Sequence, residues 1–316
     1  MRRYVIRRLL LLFPVLLGVA AVIFFSIRLV PGDAVSAQLQ GALNPSKEEI
    51  ARMRADLGLD KPAGQQFFVW LGRVVKGDLG DSFYTRKPVV NEIKNAIPVT
   101  VELAVMAMVI GIVIAIPLGV LSAVRQDSWV DYVSRLFSVG GLSVPDFVLG
   151  TIILIMPAVW FGYLPPLSYI PFMDDPLRNL QQFILPSAAL GLRLSATTMR
   201  MTRSSMLEVL RQDYIRTAWA KGLKGRVVIM RHALKNAMIA PITIIGAQFG
   251  FLLGGTVVIE QVFGLPGLGR LTLNAIFFRD YPQIQANVLL LATAFVIVNL
   301  LVDLSYGWFD PRIRYG

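Results

Sequence analysis

The sequence predicts an all-α protein that crosses a membrane several times, with six transmembrane helices. The 316 residues are 55% hydrophobic and only 16% charged, whereas soluble domains carry about a quarter charged residues. Five uncharged stretches of roughly 19 residues or more are long enough to cross a bilayer core about 30 Å thick as helices: Leu9–Ile27, Leu103–Val124, Phe147–Met173, Asn236–Ile259 and Tyr281–Val302. A sixth stretch, Gln181–Thr198, is weaker because Arg193 interrupts it.

The first span, within residues 1–30, begins with arginines and continues as an apolar run, which is the pattern of a secretory signal. The apolar run extends past Ala21 to Val30, however, which is longer than the usual core of a signal. We therefore favour an uncleaved first transmembrane helix over a cleaved signal.

The next segment, residues 31–98, carries nine basic and eight acidic residues and is predicted to be a helical insert outside the cytoplasm. Within it, Gln66–Lys76 is amphipathic and aromatic. Such a helix either lies along the membrane surface or packs as an ordinary surface helix, and the sequence leaves both open.

Residues 99–316 are predicted to form the membrane core, with the remaining five transmembrane helices. The third span, roughly Leu136–Phe161, contains Gly140, Gly141, Pro145 and Pro157 and is predicted to be kinked. Neighbouring helices in a bundle can satisfy the backbone groups that such breaks expose.

Glycines recur every four residues on the fifth span, at Gly246, Gly250 and Gly254. Small residues at this spacing let two helix backbones approach closely in lipid. The stripe serves packing within the chain, or it meets a second subunit or lines a transport path, and the second interpretation is slightly favoured. Gln248 on the same helix faces a substrate path or forms an interhelical hydrogen bond.

Two charges within apolar segments, Asp146 and Arg193, are predicted to form an intramembrane pair. A charged side chain at the bilayer centre costs about 2.5–3.5 kcal/mol on insertion scales, so such residues tend to face the bundle interior. Both lie towards the cytoplasmic ends of their predicted spans, which allows them to meet.

The distribution of lysine and arginine predicts the orientation. The segment 199–235 has nine basic residues and two acidic ones, whereas residues 161–180 have one and two. This places the 199–235 loop and both termini in the cytoplasm. The net charge of +11 is then mainly a consequence of topology, and nucleic-acid binding is not predicted.

No catalytic chemistry is visible in the sequence. There is no cysteine and only one histidine, which argues against a cluster of thiolate or imidazole metal ligands. No G-x-x-x-x-G-K-[ST] phosphate loop and no paired carboxylates spaced for acid–base work occur. We expect a chain that is not an enzyme and binds no metal or cofactor of its own.

The basic loop contains a short predicted helix over residues 213–222. Asp213 is a suitable N-cap, and one face of the helix is formed by Tyr214, Ile215, Ala218 and Trp219. Gly222 is predicted to end the helix. Taken alone, this pattern also fits an ordinary positive-inside loop.

The same loop resembles the cytoplasmic loop of ABC-transporter permeases, which reads E-A-A, three residues, Gly, nine residues, I-x-L-P. The matching positions here are Arg216-Thr217-Ala218, Gly222 and His232-x-Leu234-Lys235. Arginine and histidine at the first and third elements are similar to the dipeptide and oligopeptide branch. Lys235 departs from the expected proline, and Pro241 is the substitute candidate for the bend.

Further motifs extend the resemblance over nearly the whole chain. They are Tyr4-x-x-Arg7-Arg8-Leu9, Pro31-Gly32-Asp33, Leu57-Gly58-Leu59-Asp60-Lys61-Pro62, Gly77-Asp78-Leu79-Gly80, Gln248-Phe249-Gly250-x-Leu252-Leu253-Gly254-Gly255, Glu260-x-Val262-Phe263, Pro266-Gly267-Leu268-Gly269 and Asp310-Pro311-x-Ile313-Arg314-Tyr315. The most similar groups are permease subunits for dipeptides, oligopeptides, glutathione and nickel complexes.

The resemblance implies a type I ABC importer permease of a bacterial or archaeal cytoplasmic (inner) membrane. Two ATP-binding subunits would hold ATP and Mg, a second homologous permease would complete the path, and an extracytoplasmic binding protein would deliver substrate. The coupling helix would seat in an ATPase subunit through Asp213, Arg216, Thr217, Ala218, Ala220, Lys221, Gly222 and Leu223.

The alternative is a secondary transporter or channel that acts alone. That class predicts an inverted repeat, or broken helices with coupling carboxylates. Neither feature is visible in the sequence.

Overall fold

The computed structural model describes residues 2–30, 35, 47–56, 58–166 and 168–309, without the side chains of 2–9, 49, 53, 56 and 303–309. The motifs predicted at 31–33 and 310–315 lie outside this description. All regular elements within it are helices: α1 Arg2–Leu29, α2 Lys47–Asp56, α3 Ala63–Val75, α4 Val89–Val124, α5 Trp129–Ser143, α6 Asp146–Phe161, α7 Pro176–Leu210, α8 Asp213–Ala220, α9 Gly225–Ala237, α10 Ile239–Gly255, α11 Val257–Val262, α12 Leu268–Phe277 and α13 Tyr281–Phe309. The predicted all-α class is confirmed.

The chain forms two compact units. Unit 1 contains residues 1–98 and 266–296, and unit 2 contains residues 99–265 and 297–316. Two of the three boundaries along the chain fall within α4 and α13, and the third falls between α11 and α12.

Three of the described helices are long and apolar enough to cross a membrane: Leu10–Leu29 within α1, Val89–Val124, and Tyr281–Val302 within α13. Two bent pairs, α5 with α6 and α9 with α10, raise the number to five if each pair is one span. The count of six stays a prediction. Helix α7 has 35 residues, about 52 Å at 1.5 Å per residue, and it is not among the helices that are apolar enough to qualify by composition alone.

The third predicted span is broken more sharply than a kink. Helices α5 and α6 meet at 105°, with Val144 and Pro145 between them. Proline has no backbone N–H and disfavours helix at the residue before it, so this dipeptide ends α5. The bend predicted for this span is therefore a full break between two helices, which was not visible in the sequence.

Within unit 2, α7 packs against α5, α6 and α10, and it also approaches α4 very closely. A Cβ built on Gly191 of α7 would lie 2.8 Å from the Ala107 carbonyl oxygen. A Cβ on Gly119 of α4 would lie 2.8 Å from the Met199 carbonyl oxygen. These two glycines, which lie outside the predicted stripe at 246–254, bring the backbones of α4 and α7 together.

Within unit 1, α3 packs against the end of α1. The Phe67 ring lies 5.2 Å from the Phe24 ring, centroid to centroid, and is buried, whereas Phe68 is exposed. The burial of Phe67 thus fits the interpretation of Gln66–Lys76 as a packed surface helix. A second anchor is Asp280, whose carboxylate accepts hydrogen bonds from the Ser82 hydroxyl and from two backbone N–H groups.

Candidate coupling surface and membrane pocket

The short helix α8 is bounded by local backbone chemistry. Asp213 is its first helical residue rather than its N-cap, because Gln212 is the extended residue before it; an acidic residue in this first turn still favours the helix dipole. Gly222 follows the helix with φ of +72°. Its N–H donates to the Trp219 carbonyl at 2.9 Å, and the Leu223 N–H donates to Ala218 at 3.4 Å, which is the Schellman arrangement.

The inner face of α8 packs into a hydrophobic cluster of unit 2, called here the α8 cluster. Ile215 and Ala218 are 1% and 6% exposed. The other buried members come from α4, α7 and α9: Ala123, Met206, Val228, Ala233 and Ala237. The sequence placed Ala218 on the surface that meets a partner. The structure corrects this, because the Ala218 side chain faces its own chain.

The outer face of α8 presents the other predicted coupling residues. All seven are exposed: Asp213, Arg216, Thr217, Ala220, Lys221, Gly222 and Leu223. The one ion pair described within this set joins Arg216 to Asp213 at 3.4 Å. Since both side chains are largely exposed, that pair contributes little to stability, and both groups are accessible to another protein.

Two contacts hold α8 on α9. The Asn236 side-chain amide donates to the Tyr214 hydroxyl at 2.9 Å. The Trp219 ring lies over Gly225, where a built Cβ would be only 3.1 Å from the ring. The orientation of α8 relative to α9 is therefore defined by side chains at both ends of the helix.

Beyond α9, the chain bends by 53° at Met238 before α10 begins. Pro241 is the third residue of α10 and has no N–H to donate to the Ala237 carbonyl. The bend thus lies beside the hydrogen bond that Pro241 cannot make, and not at Lys235, the position where the motif has its proline.

A buried cluster centred on Asp131, called here the Asp131 clamp, joins the ends of α4, α5 and α7. Asp131 is fully buried, and Arg203 donates to its two carboxylate oxygens at 2.7 and 2.8 Å. Ser122 donates at 2.6 Å, Arg135 at 2.5 Å, and the Asp127 N–H at 3.1 Å. This clamp was not predicted from the sequence. Only the i, i+4 spacing of Asp131 and Arg135 hinted at it.

The predicted intramembrane charges are in contact. Arg193 of α7 donates to Asp146, the first residue of α6, directly after the 105° break. Gln248 of α10 accepts a hydrogen bond from the Thr198 hydroxyl at 3.0 Å. All three predicted residues, Asp146, Arg193 and Gln248, line one pocket of about 180 Å³, called here the membrane pocket.

The three glycines of the α10 stripe have different surroundings. Gly246 packs against Val302 of α13 in the same chain, so packing within the chain accounts for it. Gly250 is buried. Gly254 is exposed, and a Cβ built there meets nothing within 4 Å. Only Gly254 keeps space for a neighbouring subunit or a transport path.

Among the described residues, no group of three or more His, Cys, Asp or Glu side chains is placed to hold a metal ion. The Asp131 carboxylate is saturated by donors, and Asp146 is paired with an arginine. The arrangement is thus one of charge pairing and helix packing.

Comparison with known proteins gives full-length matches. Residues 115–315 match the family described as binding-protein-dependent transport system inner membrane component, and residues 1–104 match its N-terminal companion. The chain is 41% identical to the glutathione transport system permease protein GsiC of Pectobacterium atrosepticum over 100% of both chains. It is 42% identical to the dipeptide transport system permease protein DppB of Alkalihalophilus pseudofirmus, also over 100% of both.

Two solved structures share the fold. An inward-facing MetNI methionine ABC transporter matches with a TM-score of 0.55 and 17% identity, over 71% of this chain and 98% of the other. A crystal structure of an amino acid ABC transporter with histidines matches with a TM-score of 0.52 and 16% identity, over 71% and 95%.

Proposed function

Since the chain belongs to the binding-protein-dependent transport system inner membrane component family, we propose that it is a permease subunit of an ATP-driven importer of peptides. Relatives whose names specify glutathione, dipeptides and peptides, at 41–43% identity over the full length, support this substrate class. The chain itself carries out no hydrolysis in this proposal: ATP and Mg are bound by two partner subunits.

The observation that carries the proposal is the surface of α8. It is a short helix with a packed inner face and an exposed outer face of small and charged residues, including Ala220, Arg216 and Lys221. Small side chains allow another protein to approach the backbone closely, and the basic residues suit an acidic groove. Motion of an ATPase subunit would pass through α8 to α4, α7 and α9, which share its cluster.

The remaining parts of the importer follow the same assignment. The 199–235 loop and both termini face the cytoplasm of a bacterium or archaeon. The 31–98 insert lies outside and helps receive the binding protein. A second homologous permease completes the path through the membrane lipid, and Gly254 lies near that join.

A stand-alone transporter is the competing function. The bend between α5 and α6, with Asp146 directly after it, is the kind of broken helix that class uses. Family membership favours the importer, and the two functions differ in their need for ATP-hydrolysing partners.

The test is ATP hydrolysis and peptide uptake by the complex of this chain with its second permease, ATPase subunits and binding protein in liposomes. The informative variant is Ala220→Trp, because Ala220 is exposed. Substitution of Ala218 would disrupt the α8 cluster, and substitution of Gly222 would strain a backbone with φ of +72°. Gln126→Trp, at an exposed residue of the short link between α4 and α5, is the control.

We expect Ala220→Trp to lower stimulated hydrolysis and uptake together by about tenfold or more, since a docking loss of about 1.4 kcal/mol has that effect. Gln126→Trp should retain wild-type hydrolysis. Equal rates for Ala220→Trp and wild type, at equal membrane levels, would show that α8 is not the coupling element. Uptake by this chain in the absence of ATPase subunits would instead support the stand-alone transporter.

A further inference from the structure

The membrane pocket lies halfway along α7. Arg193 is the eighteenth of the 35 residues of this helix, about 26 Å from its start at 1.5 Å per residue. Asp146 enters from the break between α5 and α6, and Gln248 enters from α10. The apolar part of the lining consists of Leu142, Leu190, Leu194, Phe251 and Leu252. Broken backbone at this depth is tolerated where it lines a cavity or is covered by protein.

The charge pair in this pocket differs from the other buried pair in the same unit. In the Asp131 clamp, both carboxylate oxygens are bonded and the side chain is fully buried. In the pocket, Arg193 bonds only one oxygen of Asp146, and Oδ1 is buried without a donor among the residues that the structure describes. The Arg193 and Asp146 side chains remain 42% and 23% exposed.

This difference indicates unused binding capacity. A pair that serves packing alone is expected to have its oxygens and donors satisfied within the protein. Here an acceptor oxygen lacks a donor, and a guanidinium with five N–H groups uses one of them on Asp146. A ligand that brings both a cation and an anion would satisfy both side chains at once.

We propose that the membrane pocket is a cargo site for short zwitterionic peptides, with Asp146 receiving the peptide ammonium and Arg193 receiving its carboxylate. The apolar lining contacts the peptide side chains, and Gln248 supplies a polar contact to the backbone. An isolated anion would satisfy only Arg193, and a cation only Asp146, so either would leave one charge unpaired in the membrane. This inference rests on the proposed importer function and names the site at which that function is exerted.

The two states of the pocket have the same net charge. At rest Asp146 and Arg193 neutralise each other, and with cargo each exchanges its partner for one end of the peptide. No unpaired charge is created in a medium where it would be costly. The volume of about 180 Å³ is below the roughly 300–1,000 Å³ of ordinary ligand pockets, so this chain supplies part of the site and the second permease supplies the rest.

The test is equilibrium binding of glycyl-leucine to the purified complex of both permeases and both ATPase subunits, without the binding protein. The blocked analogue N-acetyl-glycyl-leucinamide has neither terminal charge and serves as the comparison ligand. The variant is the double substitution Asp146→Asn and Arg193→Gln, which removes both charges and leaves neither one unpaired. The matched control is Asp175→Asn with Arg178→Gln, the same changes at an exposed pair at the start of α7.

We expect wild type and control to bind glycyl-leucine at least about tenfold more tightly than the analogue, because hydrogen bonds to charged groups contribute that much or more. The pocket variant should lose this preference and bind the two peptides alike. An unchanged preference in the pocket variant, or equal affinities in wild type, would overturn the inference. ATP-dependent uptake of glycyl-leucine by the wild-type complex with its binding protein tests the proposed function separately. Uptake without binding preference rejects the pocket alone, and absence of uptake of any tested peptide rejects both.

Discussion

Replacing Asp131 by leucine removes the acceptor that holds together the ends of α4, α5 and α7. Arg203, with 20% of its side chain exposed, would lose two hydrogen bonds of 2.7 and 2.8 Å and remain charged in a mostly buried site. Ser122 would lose its acceptor as well. Removal of one partner from a buried pair destabilises a protein by about 3–5 kcal/mol, and we expect a loss of that order for Asp131→Leu.

Substituting Asp131 and Arg203 singly and together gives a double-mutant cycle that tests this estimate. Arg203→Met should also destabilise strongly, because it leaves the buried carboxylate with fewer donors. The double variant Asp131→Leu with Arg203→Met has no unpaired charge, and such apolar replacements of buried pairs are often neutral or stabilising. We therefore expect the double variant to be more stable than either single variant.

The assay is thermal unfolding of the purified chain in detergent, followed by tryptophan fluorescence. Trp219, one of five tryptophans, lies over Gly225 beside the α8 cluster, so part of the signal reports on the region that the Asp131 clamp supports. The control is Arg178→Met, which removes an exposed pair with Asp175 and should change stability by less than about 1 kcal/mol. A double variant no more stable than the worse single variant would refute the reasoning, as would an Arg203→Met midpoint equal to that of Arg178→Met.

Four further substitutions test local packing and hydrogen bonding, each measured on the purified chain. Gly191→Val should destabilise by about 1–3 kcal/mol through overpacking, because its Cβ would lie 2.8 Å from a backbone oxygen. Gly254→Val, where the space is open, should change the thermal midpoint little; equal effects would contradict the packing of α7. Asp280→Ala should increase proteolysis of residues 77–98, since buried donors left unpaired cost about 1–3 kcal/mol each; an unchanged cleavage rate would show that this anchor is dispensable. Tyr214→Phe should raise amide exchange in α8 by removing the Asn236 hydrogen bond, and unchanged exchange would mean that other contacts hold the helix.

The apolar spans and the short helix α8 were predictable because they depend on local sequence. The length of the apolar stretches predicted the helices. Gly222 predicted the end of α8, because its backbone has a φ of +72°, a conformation that glycine adopts more readily than other residues. The inner and outer faces of α8 were only partly predictable. Ala218 looked like the other small residues of the loop, and its burial depends on Met206 and Ala233, which belong to other helices.

The tertiary contacts could not be predicted from the sequence, for a different reason. Arg203 lies 72 residues from Asp131, so no spacing rule connects them. The close approach at Gly119 and Gly191 is absent from any single-helix pattern, because each glycine meets the backbone of another span. The Gly-Pro content of the third span predicted a bend, but its angle of 105° depends on how α5 and α6 pack on α7.

Helix α7 gives a physical reason why events at α8 and at the membrane pocket should be coupled. The same helix carries Arg193 in the pocket, Arg203 in the Asp131 clamp and Met206 in the α8 cluster. Arg193 and Arg203 are ten residues apart, about 15 Å along a helix axis, and the intervening hydrogen-bonded turns resist compression. A displacement of α8 therefore moves the α7 end of the Asp146–Arg193 pair, while Asp146 sits on the far side of a 105° break. Such a break lets α6 keep its position when α7 moves, so under the proposed function this displacement would change the distance between Asp146 and Arg193. Cargo held between the two side chains would then be released as they pair with each other again.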